Sequence, residues 1–174
     1  MVAVALALAL AAGPIAPAAA SPAGPEQALE KRRAGIAEEL IRLGAAIQRE
    51  IERGDVEALV ARVPPDGLRC AGRVVPRARV ARDLRAPGSW LHGFFFGGPA
   101  APDARGQPGS LRALFAAAPE IAVLVAFRRD ARAGPVGRPC LDFRAKRLAT
   151  PGAPLCFEAR DGRWWFTESL YPCG

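Results

Sequence analysis

Four cysteines are the residues whose chemistry is easiest to assign in this chain of 174 residues: Cys70, Cys140, Cys156 and Cys173. Their spacings of 70, 16 and 17 residues lack the short C-x₂₋₄-C pairs that zinc sites use, although a four-thiolate zinc site is the competing interpretation. An even number of cysteines is typical of proteins that reach an oxidising compartment. We therefore expect two disulfides and no metal site.

A single histidine, His92, restricts the enzyme chemistry that the chain can perform. Metal sites built from several histidines are excluded, and the sequence contains no G-x-S-x-G, H-E-x-x-H or phosphate-binding glycine loop. Asp83 with His92 is the carboxylate–imidazole pair that acid–base catalysis would use, whereas the alternative places His92 as a packed residue beside Trp90. Three other carboxylates alternate with apolar residues on predicted strands and are expected to face solvent: Asp142, Glu158 and Glu168. We predict no cofactor.

Arginine dominates the charge of the chain, with 22 of the 24 basic residues, and the net charge is +7. The abundance of Arg, Ala, Gly and Pro indicates a GC-rich bacterial genome, which explains part of the basic excess. Residues 62–85 hold seven Arg against two Asp. Either these are ordinary solvated arginines, or Arg77, Arg79 and Arg82 contact a polyanion. We do not expect nucleic-acid binding, because no recognisable module is present and export is predicted.

Aromatic side chains are concentrated in two short segments, 90–96 and 164–166. Trp164 and Trp165 are adjacent on a predicted strand, so they face opposite sides of the sheet. One can join the core, and the other is either covered or exposed. An exposed tryptophan marks a ligand or partner surface, which makes Trp90 and Trp165 candidate binding residues.

The first 20 residues predict an export signal. Val2 to Ala12 is an unbroken apolar run, which is too short to span a membrane and is followed by Gly13-Pro14 and by small residues up to Ala20. We expect cleavage after Ala20, with a retained anchor as the alternative. Signal peptides usually carry a Lys or Arg before the apolar run, and none is present here. A translation start upstream of Met1 is therefore left open. No later segment is apolar enough to cross a membrane, so the mature chain is expected to have no transmembrane span.

Behind this signal (1–20) we expect a loose tail over 21–27 and a single α+β domain over 28–174. Six apolar residues at helical spacing predict a long helix over 27–53: Leu29, Ile36, Leu40, Leu43, Ile47 and Ile51. Shorter helices are predicted after Asp55, over 77–85 and after Ser110, where each starting residue or turn fits a helix N-terminus.

Strands are predicted mostly in the second half of the chain. The segments that we assign to strands are 68–75 (a short strand or hairpin), 89–96 (with a buried turn of helix as the alternative), 121–127 (a central strand), 140–147, 155–159 and 164–169. Asp161-Gly162 predicts a tight hairpin with Phe157 opposite Phe166. Cys156 then lies at the end of the hairpin from which the chain leaves toward Cys173, which favours a Cys156–Cys173 bond and a Cys70–Cys140 bond.

Two segments carry a family resemblance: IQREIERGDVEALVARVPPDG at 47–67 and DGRWWFTES at 161–169. With the order of elements, they resemble the helix–Gly-Asp–helix start and the closing strands of the nuclear-transport-factor-like and ketosteroid-isomerase-like superfamily. The resemblance implies N-terminal helices packed on a curved antiparallel sheet of four to six strands. The long insert at 97–118 and the four cysteines depart from the family pattern.

Together these features predict a secreted or periplasmic bacterial protein, more typical of a non-catalytic ligand-binding or interaction module than of an enzyme. Its partner would be a small molecule or another envelope protein. The superfamily resemblance implies one alternative, an isomerase-like or dehydratase-like enzyme with a carboxylate in a cone cavity. The arginines of 62–85 imply another, a polyanion-binding protein.

Overall fold

The computed structural model describes residues 24–70, 72–97, 109–146, 148, 154–167 and 170. The predicted export signal, Glu168 and Cys173 lie outside these residues. The five helices, in chain order, are α1 (Pro25–Arg53), α2 (Val56–Val60), α3 (Arg77–Arg85), α4 (Trp90–Phe96) and α5 (Leu111–Ala117). The six strands are β1 (Leu68–Cys70), β2 (Arg73–Val75), β3 (Ile121–Arg128), β4 (Arg138–Ala145), β5 (Leu155–Arg160) and β6 (Arg163–Phe166). A 3₁₀ segment, Ala131–Val136, connects β3 to β4.

The chain therefore has the predicted α+β architecture, with a long N-terminal helix packed on an antiparallel sheet. That sheet has the order β3-β4-β5-β6, and β1 pairs with β2 in a separate two-stranded sheet. Helix α1 buries Leu40, Ile47 and Ile51 of the predicted apolar stripe. It ends at Gly54, whose φ of 71° lets its backbone N–H reach back to the last carbonyls of the helix.

Polar residues begin the shorter helices at the predicted places. The Asp55 carboxylate accepts a hydrogen bond from the Ala58 amide at the start of α2. The Ser110 hydroxyl accepts one from the Ala113 amide at the start of α5 and donates one to the Gly97 carbonyl at 2.8 Å. Because Ser110 is fully buried, both bonds are needed to satisfy its hydroxyl.

The aromatic segment 89–96 is a helix, so its assignment to a strand is wrong. The Ser89 hydroxyl accepts a hydrogen bond from the His92 amide and thereby starts α4. The helix buries Phe94, Phe95 and Phe96 together, and the Phe95 ring lies 6.3 Å from the ring of Phe166 on β6. An apolar helix of this kind is enclosed by neighbours, and its composition resembles that of a buried strand.

Strand β3 lies at the edge of the sheet, and its assignment as a central strand is also wrong. Its side chains alternate between half-buried and exposed along all eight residues. Val123 faces α1, whereas Leu124 on the other face is 49% exposed. Alanine on the exposed face gave the strand its apolar appearance in the sequence.

The disulfide joins Cys140 to Cys156, which overturns both predicted pairings. The hairpin register itself is confirmed, with Phe157 opposite Phe166. The predicted disulfides were wrong because of the pairing of β4 with β5. These two strands are staggered and pair only near their first residues. Cys140 therefore lies directly opposite Cys156, with their Cα atoms 3.9 Å apart. Cys70 is also disulfide-bonded.

Within the described part of the chain, none of the helices is both long enough and apolar enough to cross a membrane.

Candidate functional site

A surface cleft of about 500 Å³ lies between the N-terminal half of α1, strand β1, the 3₁₀ segment and the β5–β6 hairpin. Ile36, Trp164 and the β5–β6 aromatic residues supply its apolar wall. Five arginines from five different parts of the chain surround it: Arg32, Arg69, Arg132, Arg138 and Arg160. Glu158 is the carboxylate among the described lining residues. We call this site the arginine cleft.

One side chain fastens two walls of the arginine cleft to each other. The Arg33 guanidinium on α1 donates hydrogen bonds to the backbone carbonyls of Val136 at 3.1 Å and Pro135 at 3.2 Å. It also lies over the Phe127 ring, 5.6 Å from its centroid. These contacts hold the 3₁₀ segment against α1, so Arg32 and Arg132 are kept on facing sides of the cleft.

A second clamp joins the β5–β6 hairpin to the turn before β1. The Arg160 guanidinium donates to both carboxylate oxygens of Asp66, at 3.0 and 3.1 Å, and to Glu158. Partial burial alone would raise the pKa of Asp66, but the hydrogen bond and charge of Arg160, with the charge of Arg69, lower it below its ordinary value. Asp66 is therefore an ionised anchor for Arg160.

Asp130 organises a third side of the arginine cleft. Its carboxylate forms an ion pair with Arg138 and accepts a hydrogen bond from the Arg132 backbone amide at 2.8 Å. The second bond starts the 3₁₀ segment, so one carboxylate both neutralises one cleft arginine and orients the next. Within the described residues, the Arg132 side chain has no carboxylate at salt-bridge distance.

A neighbouring cleft of about 460 Å³ extends the basic surface past β1 and β2. It shares Arg69, Arg132 and Arg138 with the arginine cleft and adds Arg73. We call it the side cleft. In the described part of the chain, Arg32, Arg69, Arg73 and Arg132 have no carboxylate within salt-bridge distance. These four exposed guanidinium groups keep the combined surface positive.

The tryptophans proposed as binding residues lie elsewhere. Trp90 is 52% exposed and stacks on Phe94, but it lines neither cleft. Trp165 is only 9% exposed, with the Arg163 guanidinium 4.7 Å above its ring. Its neighbour Trp164 is the one that reaches the arginine cleft, and its indole N–H donates to Glu39 on α1 at 3.0 Å.

The proposed acid–base pair also lies away from both clefts. The Nδ1 atom of His92 is 2.7 Å from the Leu84 carbonyl oxygen, and its ring packs 5.3 Å from that of Phe96. The Asp83 carboxylate lies 3.9 Å from Arg79. Neither Asp83 nor His92 lines the arginine cleft or the side cleft. Acid–base catalysis by this pair stays a prediction.

The arginine-rich segment 62–85 is divided between different surfaces. Arg77 donates to the Val60 carbonyl at 3.3 Å, and Arg79 and Arg82 lie beside Asp83 on α3. Only Arg69 and Arg73 of this segment line the clefts. The arginines that they meet come from α1, from the segment 128–139 and from the end of β5. The sequence shows these only as part of a helix face, a polar loop and a strand end.

The fold and the site thus define an α+β protein with an arginine-lined cleft at the side of its long helix. No protein-family model, no curated protein and no solved structure matches the chain.

Proposed function

We propose that this protein is a non-catalytic binding protein that holds an anionic ligand in the arginine cleft. The observation that carries the proposal is the convergence of five arginines on one cleft, three of which (Arg32, Arg69 and Arg132) have no carboxylate within salt-bridge distance in the described residues. Surface positions that serve only solubility are not expected to converge in this way from separate elements. A negatively charged ligand would relieve the repulsion among these groups.

The ligand class follows from the shape and chemistry of the arginine cleft. Guanidinium groups bind carboxylate and phosphate through paired, parallel hydrogen bonds. A volume of about 500 Å³ lies in the range of small-molecule sites. Ile36 and the half-buried Trp164 offer an apolar wall beside the charges. We infer a small molecule with at least two negative groups and an apolar portion.

The surroundings of Glu158 support binding over catalysis. It is the carboxylate among the described lining residues, and its Oε1 atom already accepts a hydrogen bond from Arg160. Since Arg160 also holds Asp66, this network is suited to fixing the cleft wall.

An extended polyanion is a second candidate, favoured by the continuity of the arginine cleft with the side cleft. The two share three arginines, so a longer ligand would follow one positive surface past Arg73. Such binding would weaken steeply with added salt, because it depends on the release of counterions. Retention of the protein on a heparin column beyond physiological salt would favour this candidate over a small molecule.

Export and family membership are further parts of the proposal. The apolar run at residues 2–12 and the Cys140–Cys156 bond support a secreted or periplasmic location, because disulfides persist in oxidising compartments. The long helix over an antiparallel sheet, with a cleft between them, supports the distant relationship to the nuclear-transport-factor-like superfamily.

Calorimetric titration with tripolyphosphate and with phenyl phosphate tests the site. The variant Arg69→Ala with Arg132→Ala should bind at least about tenfold more weakly, because each lost hydrogen bond to a charged group is worth roughly 1.5–3 kcal/mol. The matched control, Arg79→Ala with Arg82→Ala, removes the same charge from α3, outside both clefts. It should stay within about twofold of the parent protein. Equal losses in both variants, or no binding by the parent, would contradict the proposal.

A further inference from the structure

Strand β3 ends the four-stranded sheet with a long apolar edge. In the part of the chain that the structure describes, the sheet order leaves one side of Ile121–Arg128 without a neighbouring strand. Among the described residues, no backbone hydrogen bond outside the sheet involves this strand. It is eight residues long and carries no charge before Arg128. Natural proteins protect such edges, since they are templates for pairing with another strand.

Two of the exposed large hydrophobic residues flank this edge, one on each face of the sheet. Leu124 is 49% exposed on the outer face of β3, and Ile41 of α1 is 47% exposed. Ile41 lies about 200° around the helix from Glu39, because each residue turns an α-helix by about 100°. Glu39 contacts Trp164 on β6, so Ile41 lies on the opposite flank, toward β3.

The two hydrophobic residues also lie at the same level along the edge. Helix α1 crosses β3 with Gly44 against Val123 and with Arg33 over Phe127. Ile41 lies about a quarter of the way from Gly44 to Arg33, and Leu124 lies a quarter of the way from Val123 to Phe127. The β3 edge therefore has one exposed hydrophobic side chain on each face of the sheet, at a similar level along the strand.

We propose that a second copy of this chain pairs with β3 in antiparallel fashion, on a two-fold axis through Leu124. In that register Leu124 lies opposite Leu124 of the second copy, and Ala122 lies opposite Ala126. Glu120 lies opposite Arg128 at both ends of the pair, and both side chains are exposed. Opposed charges and apolar pairs across two strands stabilise a sheet. The result is a continuous eight-stranded sheet with both α1 helices on one face.

Charge complementarity selects this register over its neighbours. If both α1 helices stay on the same face of the sheet, the two-fold axis passes through a residue of β3, and the alternative registers place it through a neighbouring residue. An axis through Val125 places Glu120 opposite Asp130, which is repulsive. An axis through Val123 places Glu120 opposite Ala126, so its charge is unpaired. Only the axis through Leu124 also brings the two Ile41 side chains to the same point on the helix side.

Sedimentation equilibrium of the protein, produced with export to a bacterial periplasm, tests this assembly. The parent protein should form dimers at micromolar concentration. Leu124→Lys places two like charges opposite each other and should weaken the dimer at least tenfold. Val74→Lys is the matched control, because Val74 is 56% exposed on β2, which belongs to the separate two-stranded sheet. It should leave the dimer unchanged.

A charge exchange tests the register itself. Glu120→Arg should weaken the dimer, and Glu120→Arg combined with Arg128→Glu should restore it. Hydrogen exchange provides a measurement that needs no variant, since amides of β3 should become more protected as the protein concentration rises. A parent protein that stays monomeric overturns the proposal. So does a dimer that Leu124→Lys leaves intact, or β3 protection that does not depend on concentration.

Discussion

Gly44 of helix α1 lies close against Val123 and Leu141 of the sheet. Substituting Gly44 therefore tests the helix–sheet packing directly. A methyl group at Gly44 would lie 2.6 Å from Cγ1 of Val123 and 3.4 Å from Cδ1 of Leu141. Gly35, in the same helix, has no atom within 4 Å of the equivalent point. Substituting each glycine by alanine therefore separates the effect of helix propensity from the effect of packing.

The two substitutions are expected to act in opposite directions. Alanine in a helix interior is favoured over glycine by about 1 kcal/mol, so Gly35→Ala should raise the free energy of unfolding by roughly that amount. Gly44→Ala gains the same helix propensity but overpacks the interface, at a cost of roughly 1–3 kcal/mol. Val123 has little freedom to move away, because its Cγ1 atom is attached directly to a β-branched carbon. We expect the two variants to differ by about 1–3 kcal/mol.

Urea unfolding of the oxidised protein, followed by circular dichroism, measures this difference. Gly44→Ala should cost less in a Val123→Ala background, since the clashing methyl group is absent there. Both results depend on α1 lying directly on β3. If Gly44→Ala stabilised the protein as much as Gly35→Ala, the described helix–sheet contact would be refuted.

Three further predictions follow from the clamps and the disulfide. Arg33→Ala should destabilise the protein by roughly 1–3 kcal/mol in urea unfolding, because two backbone carbonyls lose a charged donor. Asp66 has a lowered pKa, so its contribution is present above its ordinary pKa of 3.8 and is lost as the pH falls through its value in the folded state. Asp66→Asn should therefore flatten the acid limb of the stability–pH curve, and an unchanged curve would refute the Arg160 clamp. Peptide mapping of the unreduced protein should join Cys140 to Cys156, and replacing both by serine should cost about 3 kcal/mol.

Local sequence patterns predicted the elements whose signals are contained within a few residues. The apolar stripe of α1 needs only helical periodicity, and Leu40, Ile47 and Ile51 are fully buried as it requires. The hairpin register needs only the turn, where Asp161 and Gly162 adopt the positive φ values that join two twisted strands tightly.

Patterns that depend on distant neighbours were misread. Most of the α4 segment is apolar because it packs against other elements, which makes its composition similar to that of a buried strand. The Cys140–Cys156 bond depends on the stagger between β4 and β5. The connection between these strands runs from Ala145 to Leu155, and a connection of that length does not fix a register as the two-residue Asp161-Gly162 turn does. Strand β3 looked like a central strand because both of its faces are apolar in sequence, although Ala122 and Ala126 on the outer face are exposed.

The arginine cleft could not be read from the sequence, because its members are scattered. Arg32 and Arg132 are 100 positions apart and meet only through the Arg33 contacts with the 3₁₀ segment. The density of arginine in 62–85 indicated a basic surface, but most of its members pair locally or face other directions. Counting arginines along the chain shows where they are dense in sequence, whereas a binding site requires that their side chains come together in space.

The most direct test of anion binding uses the three tryptophan indole N–H signals in a proton–nitrogen NMR spectrum. Trp164 lies in the arginine cleft, whereas Trp90 is exposed on α4 and lines neither cleft. Each signal can be assigned by replacing one tryptophan with phenylalanine. On titration with phenyl phosphate at physiological salt, we expect a saturable shift of the Trp164 signal and no shift of the Trp90 signal. Equal movement of both signals, or no movement of Trp164, would contradict this expectation.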